Sequence, residues 1–260
     1  MNKIKVMTIF GTRPEAIKMA PLVKELEKRE EIESIVCVTA QHRQMLDQVL
    51  DTFNITPDYD LNIMKQGQTL VDITTRALQS LSEVISKVKP NIVLVHGDTT
   101  TTLSGSLAAF YNQVSVGHVE AGLRTYDKYS PFPEEVNRQV TGVIADMHFA
   151  PTQVSKNNLL KEGKKEETIY VTGNTAIDAL KTTVKDEYYH PIFDKIGNDK
   201  MILLTAHRRE NLGEPMKNMF RAIKRIVEEF DDIQVVYPVH LNPLVRQAAD
   251  EVLGKNSKVH

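Results

Sequence analysis

Residues 4–28 read IKVMTIFGTRPEAIKMAPLVKELEK, and this stretch decides the fold. Ile4–Phe10 is a short apolar, β-branched run and reads as a strand. Gly11, Thr12 and Arg13 break it. From Pro14 to Lys28 the period changes to that of a helix. Ile17, Ala20, Val23 and Leu26 recur on one face, while Lys18, Lys24 and Glu25 fall elsewhere. Pro14 suits the first helical position, where the missing N–H has no intrahelical partner to lose.

The same alternation continues outward. Ile35–Thr39, Asn91–Val95, Val114–Val119, Met147–Ala150 and Thr168–Val171 read as strands. Arg43–Phe53, Leu70–Val88, Thr99–Tyr111, Glu134–Ile144 and Gln153–Lys161 read as helices. Strands alternating with helices predict an α/β fold with a mostly parallel, doubly wound sheet. A second series starts near Gly173. Met201–Thr205 and Ile233–Tyr237 read as its strands, Met216–Phe230 and Pro243–Leu253 as its helices, and the polar stretch Lys185–Lys200 as a long surface connection. The expected domains are therefore residues 1–172 and residues 173–260, each Rossmann-like. The second is shorter than the roughly 100–200 residues such a domain usually needs, and Lys258–His260 opens another strand with nothing after it. The expectation is a second domain cut short.

Composition bounds the rest. The chain has 260 residues, 41% hydrophobic and 25% charged, with a net charge of −2. These values exclude a disordered chain, a collagen-like chain and a disulfide scaffold. No apolar run reaches the ~18–20 residues of a membrane span, and Met1–Phe10 lacks the regions of a signal peptide. The single cysteine, Cys37, lies in an apolar run and reads as a core thiol of a reducing, cytoplasmic compartment. Near-neutral charge argues against bulk nucleic-acid binding, while leaving room for a local phosphate site.

Ligands of open parallel sheets bind beyond the carboxyl ends of the strands. Five clusters fall there. Gly11-Thr12-Arg13-Pro14-Glu15 opens a helix and suits an anion, or is a plain strand–helix turn with a solvated arginine. It is neither a P-loop nor a GxGxxG fingerprint. In His96-Gly97-Asp98-Thr99, Asp98 is either an acid–base group or a helix N-cap, and the cap is the simpler role. Glu120, in Gly117–Arg124, ends an apolar strand. Desolvation there would raise its pKa and fit it for proton transfer; the alternative is a salt bridge to Arg124. In Ser130–Arg138 two prolines deliver Glu134 and Glu135 into a helical first turn, where a Glu134–Arg138 ion pair is the ordinary reading. His207 with Arg208 and Arg209 follows the first strand of the second domain and fits a diphosphate and an acid; Tyr237–His240 has the same position after the next strand. No HxxxH or Cys/His spacing supports a metal, and no GxSxG supports a serine nucleophile. Carboxylates, histidine and arginines without a nucleophile point to acid–base chemistry on an anionic substrate.

The clusters together resemble the bacterial non-hydrolysing UDP-N-acetylglucosamine 2-epimerases. The matching segments are FGTRPEAIKMAPL, VTAQHRQMLDQVL, VHGDTTTTL, GHVEAGLRT, PFPEEVNR, TGNTAIDAL, TAHRREN and YPVHLNP, in family order from end to end. The resemblance implies two Rossmann-like domains in the glycosyltransferase-B arrangement. It implies Asp98, Glu120, Glu134 and His207 as catalytic residues and Arg13, Lys18, Arg138 and Arg208 as substrate-binding ones. It also implies an activator site for a second UDP-N-acetylglucosamine near Gln41, Gln44, Glu134, Arg208 and His240. Gly67 stands where some regulated members carry an arginine. No cofactor is implied, nor a nucleic acid or membrane partner; a homodimer through the first domain is.

The chemistry so implied interconverts UDP-N-acetylglucosamine and UDP-N-acetylmannosamine by eliminating UDP and adding it back to a 2-acetamidoglucal intermediate. It would serve cell-surface polysaccharide synthesis such as teichoic acid or capsule. The competing readings are a hydrolysing 2-epimerase that releases UDP and N-acetylmannosamine, a glycosyltransferase of the same architecture, and an inactive fragment. In the family, residues beyond the position of His260 hold uridine and ribose, so this chain is expected to bind UDP weakly.

Overall fold

The computed structural model describes residues 3–40, 43–65, 67–208, 211–254 and 256–260, with the backbone alone for 43 and 44. The chain forms two compact units, Met1–Val184 and Lys185–His260.

In the first unit the order is β1 (Ile4–Phe10), α1 (Arg13–Glu27), β2 (Ile32–Val38), α2 (Arg43–Thr52), β3 (Tyr59–Asp60), α3 (Leu70–Val88), β4 (Ile92–His96), α4 (Thr100–Tyr111), β5 (Ser115–Val119), α5 (Glu134–Ile144), β6 (Met147–Ala150), α6 (Gln153–Lys161), β7 (Ile169–Val171) and α7 (Thr175–Thr183). Among the described residues the strands form one parallel sheet ordered β3-β2-β1-β4-β5-β6-β7. The order reverses between β1 and β4, the switch point at which such sheets open a crevice beyond their carboxyl ends.

β1 shows why its run is apolar throughout. Val6 and Phe10 feed a core beneath α1 and α2, while Met7 and Ile9 feed a second core beneath α3 and α4. Alternate residues point to opposite faces, and both faces are covered. α1 turns Ala16, Met19, Ala20 and Val23 inward, with Ile17 and Leu26 at the margin. α3 starts on a capping box between Thr69 and Asp72 and buries Ile73, Ala77, Leu81 and Ile85, each one turn from the last. Full burial of a Leu81 or Ile85 side chain contributes about 1.5–3 kcal/mol. Cys37 is fully buried, and burial pushes its thiol up to about 12.

The first unit ends at Val184, not at Thr172. α7 causes the difference. It packs on α1, and its Ala179 joins the core that holds Phe10 and Met19. A helix that buries its apolar side in the first core belongs to that unit, although its sequence follows the last strand.

In the second unit α8 (Ile192–Ile196) lies inside the stretch expected to be a bare connection, anchored by buried Ile196. Then come β8 (Lys200–Leu203), α9 (Glu214–Glu229), β9 (Ile233–Val236) and α10 (Pro243–Val252). β8 and β9 pair in parallel. Val259 bridges Val235 in parallel, so Lys258–His260 does begin a further strand position. Met216, Phe220, Tyr237, Val245, Ala248 and Leu253 form the core of this unit.

Candidate active site

The loops after β1 and β4 meet through one buried carboxylate. Glu15, 2% exposed, accepts from the Gly11 and Thr12 amides at 3.1 and 2.8 Å and from the Thr99 hydroxyl at 2.8 Å. Burial pushes its pKa up, against the hydrogen bonds from Thr99, Thr12 and Gly11. Gly11 has no room for a side chain, since a Cβ there would lie 2.0 Å from the Thr39 hydroxyl. The first cluster is thus a capped turn locked to its neighbour.

Asp98 is not the N-cap of α4. That role falls to Thr99, whose hydroxyl accepts from the Thr102 amide at 3.2 Å. Asp98 is left for another partner, and Arg138 supplies it. One Arg138 nitrogen donates to Asp98 Oδ2 and the other to the Glu120 carbonyl; the guanidinium is almost fully buried. Asn137 donates to the Asp98 carbonyl at 2.9 Å. α5 therefore grips the β4 loop with two consecutive side chains, and Arg138 makes no ion pair with Glu134 among the described contacts.

Glu120 stands at the centre. Its Oε1 takes the Lys18 ammonium and the Asn174 amide, the latter at 3.3 Å, while Oε2 faces Arg138 Nη2 at 3.6 Å and His96 Nε2 at 3.8 Å. Burial would raise its pKa, but His96, Lys18 and Arg138 together outweigh burial and hold it below the usual carboxylate range. This corrects the expectation of a raised pKa. The alternative salt bridge to Arg124 is absent too: Arg124 holds Glu162 through two nitrogens, at 2.6 and 2.7 Å. Glu120 also adopts φ 61°, the left-handed region that a residue with a Cβ enters only at a cost.

The two glutamates that open α5 separate in role. Glu135 is buried and accepts from the Thr125 and Tyr126 amides at 3.0 and 3.1 Å and from Gln139 at 2.9 Å, so it ties down the preceding loop. Glu134 has a buried oxygen, Oε2, with no hydrogen-bond partner.

Arg13 is the first residue of α1 and is exposed. In the second unit, His207 and Arg208 follow β8 and are exposed. The His207 ring stacks on that of His240, centroids 5.5 Å apart and planes at 25°. Tyr237 donates to the Ala206 carbonyl at 2.7 Å and fixes the loop. Of the residues expected near an activator, Gln41 and the Gln44 side chain lie outside the described residues. Among the described residues no cluster of three or more His, Cys, Asp or Glu is placed to hold a metal ion, and no helix is long and apolar enough to cross a membrane.

The first unit thus gathers Lys18, Asp98, Glu120 and Arg138 into one network. Sequence reading missed Asn137 and Asn174 as members. Asn174 was findable: an asparagine after a strand and before a helix is a cap, and here its Oδ1 caps α7 at 2.9 Å while its Nδ2 reaches Glu120.

The family model described as UDP-N-acetylglucosamine 2-epimerase matches residues 24–260. The chain is 72% identical over 260 residues to the UDP-N-acetylglucosamine 2-epimerase of Bacillus subtilis (strain 168), covering 100% of this chain and 68% of that protein. Among solved structures it is similar to S. aureus MnaA in a co-structure with UDP (61% identity, TM-score 0.91, 99% of this chain and 68% of that one). It is also similar to UDP-GlcNAc 2-epimerase from Neisseria meningitidis bound to UDP-GlcNAc (52% identity, TM-score 0.89, 99% of this chain and 71% of that one).

Proposed function

The chain belongs to the UDP-N-acetylglucosamine 2-epimerase family, and from that membership we propose that it interconverts UDP-N-acetylglucosamine and UDP-N-acetylmannosamine without net hydrolysis. The observation that carries this reading is the Lys18–Glu120–Arg138–Asp98 network at the carboxyl ends of β4 and β5. It gathers two carboxylates on one guanidinium, with a third acid, Glu134, four residues before Arg138 in the same helix.

The proton on sugar carbon 2 is not next to a carbonyl, so its direct removal is prohibitive. Elimination solves this. The bond from carbon 1 to the diphosphate oxygen breaks, UDP leaves with the electron pair, and a carboxylate takes the carbon 2 proton. The 2-acetamidoglucal that remains is protonated at carbon 2 on the other face, and UDP adds back at carbon 1. Such a sequence needs a base, an acid and cationic support for the departing diphosphate. Asp98, Glu120 and Glu134 provide the first two; His207, Arg208, Arg13 and Lys18 suit the third. Glu120 held ionised is ready to accept a proton without first losing one. Asp98 shares Arg138 with it, so the two charges are steadied by one group.

By the same resemblance the enzyme works in the cytoplasm as a homodimer, supplies cell-surface polysaccharide synthesis, and takes a second UDP-N-acetylglucosamine as activator near Glu134, Arg208 and His240. Gly67 leaves open space where an arginine would stand, with nothing within 4 Å of a Cβ built there.

Incubation of the chain with UDP-N-acetylglucosamine in deuterated water tests the reading. UDP-N-acetylmannosamine carrying deuterium at carbon 2 is expected. Epimerisation without deuterium incorporation would falsify the elimination, and free N-acetylmannosamine appearing in step with UDP would replace it with the hydrolysing reaction.

A further inference from the structure

Two segments of the site have the same form, His-x-acid: His96-Gly97-Asp98 at the end of β4 and His118-Val119-Glu120 at the end of β5. The strands are neighbours in register, with Val95 opposite His118 and His96 opposite Val119. Neither histidine has a part in the reaction as described. Both are buried, at 3% and 0% exposure, a position that histidine seldom takes without a reason.

Their contacts cross between the strands. His118 Nε2 lies 2.7 Å from the Gly97 carbonyl. A carbonyl only accepts, so Nε2 carries the hydrogen and Nδ1 is a bare lone pair, which has no partner. The Gly97 amide in turn donates to the Val119 carbonyl at 2.9 Å. The peptide before Asp98 is thereby held from β5. In the other direction, His96 Nε2 lies 3.8 Å from Glu120 Oε2, and neither of its ring nitrogens has a hydrogen-bond partner. Gly97 flanks the same oxygen: a Cβ built there would lie 3.5 Å from it.

We propose that His96 and His118 are crossed positioning residues: each stands two residues before one acid in the chain and serves the other. His118 fixes the turn that presents Asp98. His96 offers a ring N–H to the open oxygen of Glu120, a contact that closes from 3.8 Å to hydrogen-bond length when the carboxylate is drawn against substrate. Both must act uncharged. Burial pushes His96 down to about 4, against the pull of Glu120 and with Lys18 and Arg138 facing it. Burial pushes His118 well below its ordinary value, with Arg138, His148 and His96 nearby. A neutral imidazole gives a hydrogen bond without adding a cation to a site already holding Lys18 and Arg138.

The inference rests on the epimerase reading for its kinetic half only. Nitrogen-15 spectra of the wild-type chain test the rest. Expected are an Nε2–H tautomer for His118 and no protonation of either ring between about pH 5.5 and 8. An Nδ1–H tautomer for His118, or titration of either ring near its ordinary value, overturns the proposal. In kinetics, H96F and H118F are expected to lower kcat on the order of 100-fold with little change in KM, because misplacement acts on the reacting geometry. H96F also moves the acid limb of the pH profile upward. H96Q and H118Q, whose amide nitrogen can replace Nε2–H, recover most of kcat and restore the limb. Wild-type kcat and pH profile in both phenylalanine variants overturn the proposal. Should H118F fail to fold, the His96 pair and the spectra decide it. A wild-type chain without epimerase activity refutes the function but leaves the tautomer test standing.

Discussion

The two units carry their chemistry differently. In the first, the charged groups are buried or half-buried and shared: Arg138 holds Asp98 and the Glu120 backbone, Lys18 and Asn174 hold the Glu120 carboxylate, and Glu15 locks the loops around them. In the second, His207 and Arg208 are exposed, and among the described contacts near them are a tyrosine hydrogen bond to Ala206 and a ring stack on His240. In the proposed reaction, the difference teaches that preorganisation is concentrated where protons would move. Donors for a diphosphate can stay exposed, because a flexible, hydrated cation still attracts an anion. A base and an acid cannot, because their rates depend on position.

Three tests sharpen or break that contrast. Arg138→Met has the largest expected effect. It leaves two carboxylates without their shared cation, so activity should fall by roughly 1000-fold and stability by about 3 kcal/mol. Kinetics and urea unfolding read the two together, and a variant that kept wild-type stability would show the network to be ornament. His207→Ala comes next. Activity should fall on the order of 100-fold, yet stability should change by no more than about 0.5 kcal/mol, since the ring is exposed. A large stability loss there would erase the distinction between the units.

The smallest effect is in the pH dependence of stability. Glu120 is held below its ordinary pKa, so its contribution is present above the unfolded value and is lost as pH falls through the folded one. Glu15 is pushed up by burial and works the other way: the folded state takes its proton first, so acidification through that raised value favours folding and a rise in pH opposes it. Unfolding measured between about pH 3 and 7 should therefore show a shallower acid decline in E120Q and a steeper one in E15Q. Slopes changed in the same direction would contradict the opposite environments of the two glutamates.

Much of the fold was legible because periodicity is local. Leu70–Val88, Glu134–Ile144 and Gln153–Lys161 occur with the bounds read from sequence. α7 was not assigned, because its partner α1 lies far away in the chain and its own pattern is weak without that partner. β3, two residues long, is too short for any period. The site was legible as a set of residue types but not as a circuit. Asp98 and a neighbouring threonine compete for one cap, and the winner, Thr99, is decided by a single position. The charge state of Glu120 depends on His96, Lys18 and Arg138, the last two of which lie 102 and 18 residues away on opposite sides in the chain. No window of sequence contains all three.

The left-handed backbone at Glu120 has a consequence for how this position tolerates change. Glycine or asparagine would sit there with less strain, glycine by about 1 kcal/mol because it has no Cβ to meet the following carbonyl oxygen, asparagine because its short polar side chain can hydrogen-bond locally. The turn on its own would choose either. A glutamate kept there against the preference of its own backbone marks a place where folding and chemistry ask for different residues. A screen for stability alone would drift toward glycine at 120, and a screen for turnover would drive it back.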